Sequence, residues 1–178
     1  MITGIPVFLS TTTATNSANV AITSNITSAY NEYVFVFTDV NPVTDSQTLT
    51  FNVSIDGGSN YNVAKTTTFW RAQNNGSSNA LGYQTSLDLA NSTAYQPISA
   101  DLGNGSDEST AGILHVFDPA STTYVKHFNS RFNCHHASNY TNDMFAAGFI
   151  DSTSAINAVN FKMASGNFDG VIQMYGIK

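Results

Sequence analysis

The residues with the most chemical potential are Cys134-His135-His136. On an extended strand Cys134 and His136 share a face, and a thiolate with an imidazole suits a soft divalent metal. Two ligands are too few for a structural site unless symmetry repeats the pair, so the segment reads as a strand end with one buried thiol and two solvated imidazoles. The loop Asp101-Leu-Gly-Asn-Gly-Ser-Asp-Glu108 holds three carboxylates beside Asn and Ser oxygens, the hard ligands that calcium takes. Gly103 stands where an alternating ligand set needs an oxygen, so this loop reads as a solvated acidic turn. Neither a metal nor any other cofactor is expected.

Catalytic constellations are equally thin. No Gly-x-Ser-x-Gly elbow occurs, and the four histidines do not stand in a triad context. Glycoside hydrolysis needs two carboxylates facing each other across a cleft. Glu32 and Glu108 are the only glutamates, and most aspartates lie in turn sequences where they cap backbone groups. The chain is expected not to be an enzyme. Trp70 is the single tryptophan and follows Phe69, so on a regular strand one of the two faces outward. A core place is the commoner one for a tryptophan. An outward Trp70 would offer a large, rigid ring to a carbohydrate or to an interface.

Period-two alternation organises nearly the whole chain, and no stretch keeps a helical apolar stripe for three turns. The clearest strand is Gln47–Ile55, with Leu49, Phe51, Val53 and Ile55 on one face and Thr48, Thr50, Asn52 and Ser54 on a wet one. Tyr124–Phe132 alternates in the same way, and Tyr33–Phe37 is apolar on both faces, which places it centrally. Weaker strands read at Ala18–Ile26, Tyr61–Trp70, Leu81–Leu87, Ala111–Phe117, Met144–Ile150, Ile156–Met163 and Val171–Ile177. Asn41-Pro42, Asp56-Gly-Gly58, Asn75-Gly76, Asn104-Gly105, Asp118-Pro119 and Ser165-Gly-Asn167 supply the turns. About ten strands with no crossover helices predict an all-β, antiparallel, jelly-roll-like β-sandwich.

Two regions fall outside this pattern. Residues 1–15 form an apolar and then Thr-rich N-terminal arm with no partner strand nearby; such an arm frays or pairs with another subunit. Its apolar residues Ile2, Ile5, Val7, Phe8 and Leu9 are the candidate assembly interface. The stretch Ser99–Thr110 reads as a loop at one end of the sandwich. Residues 16–178 form the single domain, with no internal repeat and no linker.

Composition bounds the partners. The 178 residues are ample for a two-sheet core, and 42% of them are hydrophobic. Only 10% are charged, and Asn, Ser and Thr make up about a third of the chain. A polar, nearly uncharged surface suits dense packing among like subunits. Net charge is −6 and the six Lys and Arg residues are scattered, so no nucleic-acid partner is expected. No window is apolar enough for a membrane span, and the start lacks the basic and apolar regions of a secretory signal. Cys134 alone cannot form an internal disulfide. Six Asn-x-Ser/Thr sequons at Asn25, Asn52, Asn75, Asn91, Asn104 and Asn139 are what so Asn- and Thr-rich a chain generates by chance.

Four segments carry a family resemblance: 28–43 (SAYNEYVFVFTDVNPV), 49–63 (LTFNVSIDGGSNYNV), 121–133 (STTYVKHFNSRFN) and 154–178 (SAINAVNFKMASGNFDGVIQMYGIK). Together they resemble small virion proteins of tailed bacteriophages, many from marine hosts. The ending is the most telling part: a strand, a Ser-Gly-Asn turn and a strand closing on Tyr-Gly-Ile-Lys. The likeness covers about residues 18–178 and leaves the arm unmatched. It implies a jelly roll on the exterior of the particle, assembled in the host cytoplasm. Capsid decoration (cement) proteins of this size are often homotrimers bound to the major capsid protein. Small jelly rolls also serve in tails, as fibre or receptor-binding components that engage tail proteins or a host glycan. The chain has neither coiled-coil heptads nor β-helical repeats from which a fibre draws its length, which favours decoration. The resemblance carries over no catalytic residues.

Overall fold

Alternation becomes twelve antiparallel strands in the computed structural model, which describes residues 4–178. They are β1 (Val7–Ser17), β2 (Val20–Ile22), β3 (Glu32–Pro42), β4 (Gln47–Ser54), β5 (Lys65–Asn74), β6 (Asn79–Tyr83), β7 (Gln96–Leu102), β8 (Thr110–Phe117), β9 (Lys126–His136), β10 (Tyr140–Ile150), β11 (Ala158–Met163) and β12 (Phe168–Ile177). All ten strands expected from the pattern are present in some form, and β1 and β7 are added to them.

The strand order is that of a jelly roll. Strands β1-β12-β3-β8 form one four-stranded sheet and β2-β11-β4-β7 the facing one. Two hairpins, β9–β10 and β5–β6, then continue the first sheet past β8 in the order β9-β10-β5-β6. The long sheet therefore has eight strands and the short sheet four. A single pairing, Leu102 with His136, joins β7 to the end of β9 and nearly closes the sandwich at that corner.

Aromatic side chains hold the layers together. Phe161 of the short sheet packs against Phe35 and Phe37 of β3, with ring centroids 5.4 and 5.0 Å away, and Phe51 of β4 meets Phe128 of β9 at 4.9 Å. All five rings are buried. Phe37 also reaches Phe132 at 5.1 Å. Gly112 makes room for that ring, because a Cβ there would sit 2.4 Å from Phe132 Cγ.

Three expectations are corrected. The N-terminal segment is no loose arm: β1 runs antiparallel to β12 from Val7–Gly176 to Ser17–Phe168, within its own chain. Its partner lies about 160 residues away, out of reach of any local pattern. Within the expected Ser99–Thr110 loop, residues 99–102 belong to β7, and the true loop is 103–109. Pro97 disguises β7 as a non-strand, and the β4–β7 register slips beside it, between Leu49 and Thr50.

The wet face assigned to β4 is the third correction. Thr50, Asn52 and Ser54 are as buried as Leu49, Phe51 and Val53. Asn52 is fully enclosed: its amide nitrogen donates to the carbonyls of Tyr61 and Thr93, and its Oδ1 accepts from Lys65 Nζ at 2.6 Å. Strand β5 and the chain leading to β7 cover this face, and the polar residues are hydrogen-bonded instead of solvated. Ile55, by contrast, lies past the strand end and is exposed, as is Tyr124 ahead of β9. Phe51→Ala is expected to cost about 3–5 kcal/mol. Asn52→Ala, which strips Lys65 of an acceptor, is expected to cost about 1–3 kcal/mol. Urea unfolding that leaves Asn52→Ala within about 0.5 kcal/mol of the parent would contradict this burial.

Candidate functional site

Trp70 lies on the outer face of the long sheet, not in the core. Phe69 takes the core place and is fully buried, while Trp70 is 39% exposed. Its indole stacks on Phe145, its direct partner across β5 and β10, with centroids 3.9 Å apart and planes 7° from parallel. Arg131 of β9 lies over Phe145 at 5.0 Å from the ring centre. The next partner along the same row is Ile113 of β8, 39% exposed. One continuous cross-strand row therefore reads Trp70–Phe145–Arg131–Ile113. Direct cross-strand partners are the pairs whose side chains touch, so four distant residues meet by register alone.

Shorter rows flank this tall one. On one side stand Ala111, Asn133 and Asp143; on the other His115, Asn129 and Ala147. These rows and the central one line a depression of about 750 Å³. Arg131 grips Asp143 with both arms, Nε to Oδ1 at 3.1 Å and Nη2 to Oδ2 at 2.8 Å, and this pair holds the guanidinium above its ordinary pKa. His115 Nδ1 meets Glu32 Oε1 at 2.5 Å. Asn133 uses its amide nitrogen on Thr141 Oγ1 and the Asn142 carbonyl. Asn129 is exposed, and among the described residues its side chain forms no hydrogen bond.

The second exposed feature is the side of the sandwich where β1 ends the long sheet and β2 ends the short one. Of the proposed interface residues, Ile2 lies outside the described residues. Ile5 is 86% exposed, Val7 and Phe8 are also open, and Leu9 is half-buried. Phe8 leans edge-on against Tyr175 of β12. No Asp, Glu, Lys or Arg occurs before Glu32, so both edge strands are free of charged side chains.

The metal-ligand candidates are engaged otherwise. Cys134 is buried, and burial pushes its thiol up to about 12. His136 shares its face, as the sequence implies, but its Nε2 meets Tyr140 Oη at 2.7 Å, and burial lowers its pKa. In the acidic loop, Asp101 accepts from Arg71 Nη1 at 2.5 Å, and Glu108 accepts from the Gly105 amide at 2.7 Å and pairs with His135 at 3.0 Å. Among the described residues no three His, Cys, Asp or Glu side chains are grouped to hold a metal ion.

Two buried lysines complete the polar interior. Lys126 Nζ donates to the Ser152 and Ser154 carbonyls. Lys65 Nζ donates to Asn52 Oδ1 and to the Val63 carbonyl at 2.8 Å, and among the described residues it pairs with no carboxylate. Burial pushes Lys65 down to about 7. Compared with family models, curated proteins and solved structures, the chain finds no match.

The Lys65 shift sets a pH dependence. An unfolded lysine releases its proton near pH 10.4, so between about pH 7 and 10 the unfolded chain holds a proton that the native chain has lost. Stability then rises with pH. Cys134, whose pKa is raised, opposes this above about pH 8.5, leaving a clean window of about 7 to 8.5. The melting temperature of the parent is expected to climb across that window, and Lys65→Met to remove most of the climb. An unchanged slope in Lys65→Met would refute the assignment.

Proposed function

We propose that this chain is a structural, non-enzymatic subunit of a tailed-phage particle, a capsid decoration protein on the outer shell. In this reading it associates with copies of itself as a homotrimer and with the major capsid protein. The observation that carries the proposal is the uncharged side formed by β1 and β2, apolar at the start of β1 and lined by Ser, Thr and Asn beyond it. A bare edge strand is a template for pairing with another chain, and most proteins blunt it with lysine or inward-facing charge. Here the eleven-residue β1, with Val7 and Phe8 exposed and Ile5 exposed just ahead of it, carries no charged side chain.

Further support comes from sparse charge, abundant hydroxyl and amide groups and the lack of a shaft-forming repeat, beside the resemblance of four segments to small virion proteins. Burial of Lys65 and Lys126 leaves still fewer cations at the surface, which disfavours nucleic acid as a partner. Many weak copies on a lattice bind by avidity, so each contact can be small.

Because β1 pairs with β12, removing the segment would damage the long sheet. Point changes on its exposed side chains are the cleaner test. The double variant Val7→Lys, Phe8→Asp is expected to fold with a near-parental melting temperature, yet to lose self-association in sedimentation and occupancy on capsids. Parental occupancy in that variant would refute the proposal.

A further inference from the structure

The geometry points to a binding site for neutral saccharides on the outer face of the long sheet, beside the Trp70–Phe145 stack. Its shape is the first reason. The depression of about 750 Å³ falls within the range of ligand sites, about 300–1,000 Å³. Its floor is low because Ala111 and Ala147 flank the tall central row. The exposed edges of the stacked Trp70 and Phe145 rings form a preformed apolar wall for the C–H face of a sugar ring.

Polar groups around the floor match hydroxyls. Asn129 presents an amide donor and acceptor that nothing in the described chain uses, the pattern that neighbouring sugar hydroxyls complement. Charge decides the class of glycan. Arg131 is compensated by Asp143 and His115 faces Glu32, so no uncompensated cation is left for a phosphate, sulfate or carboxylate ligand. An occupant that is polar, uncharged and flat on one face is a neutral pyranose.

A second copy of this chain is the competing occupant, and the uncharged edge is where it would sit. The depression runs from β8, three strands and about 14 Å from β1 at the usual strand spacing, to Trp70 on β5, six strands and about 29 Å away. Saccharide binding therefore does not rest on the virion reading and leaves the assembly side free.

The test uses the full chain, displayed multivalently on an array of neutral, sialylated and sulfated oligosaccharides, followed by calorimetric titration of the strongest neutral oligosaccharide. Signal confined to neutral glycans is expected, with at least a tenfold loss in Trp70→Ala and Asn129→Ala. Ala147→Gln fills the floor without removing a contact; it is expected to abolish binding and keeps the test decisive if Trp70→Ala does not fold. Leu81→Ala, on the exposed β6, is expected to bind as the parent does. A silent array, binding to charged glycans only, or binding undiminished in Ala147→Gln would overturn the inference. Loss of self-association in Ala147→Gln would also overturn it, by making this face a contact between copies.

Discussion

The structure depends on aromatic contact between its two layers. Phe161 and Phe51 of the short sheet meet Phe35, Phe37 and Phe128 of the long one, all with little or no exposed surface. Such rings bring the largest apolar area per residue, and their edge-to-face geometry fixes how the layers sit. Once these layers are joined, the remaining strands are constrained. The long sheet has twice as many strands as the short one, so its extension, β9-β10-β5-β6, must either curl over the short sheet or leave an inner face uncovered.

The extension curls, and this explains the polar interior. Inward residues of β5 arrive over a face of β4 that carries Thr and Asn. Lys65 meets Asn52, and Thr67 Oγ1 donates to Gln96 Oε1 at 2.6 Å. A buried polar group is tolerable only when hydrogen-bonded, and here β5 meets acceptors on β4 and β7. The outer face of the same extension has no such cover, so Trp70, Phe145 and Arg131 stay at the surface.

Much of the fold was legible because alternation reports directly on a sheet with a dry side. Leu49, Phe51 and Val53 face the core as their spacing implies. The same rule misread Thr50 and Asn52, since polarity on the second face signals water only when nothing else covers it. Strand β1 was missed because its partner is the last strand, and β7 because Pro97 masks it. For the outer face, the sequence showed that Phe69 and Trp70 must point opposite ways, but not which one faces out. Phe145, Arg131 and Asn129 carried no signal at all, because their proximity to Trp70 arises from the registers of β5, β10 and β9. Cys134 and His136 do share a face, yet the neighbours that occupy them lie on β7 and β10.

Two surfaces of different character result: an uncharged edge suited to neighbours and a charge-compensated face that remains open to solvent. Cryo-electron microscopy of purified particles carrying the protein tests this division most directly. The account predicts copies on the order of hundreds on the outer shell, with the β1 and β2 edges against neighbouring subunits and Trp70 facing outward. A few copies confined to the tail, or a shell in which the Trp70 face is buried against the coat while β1 stands free, would contradict it.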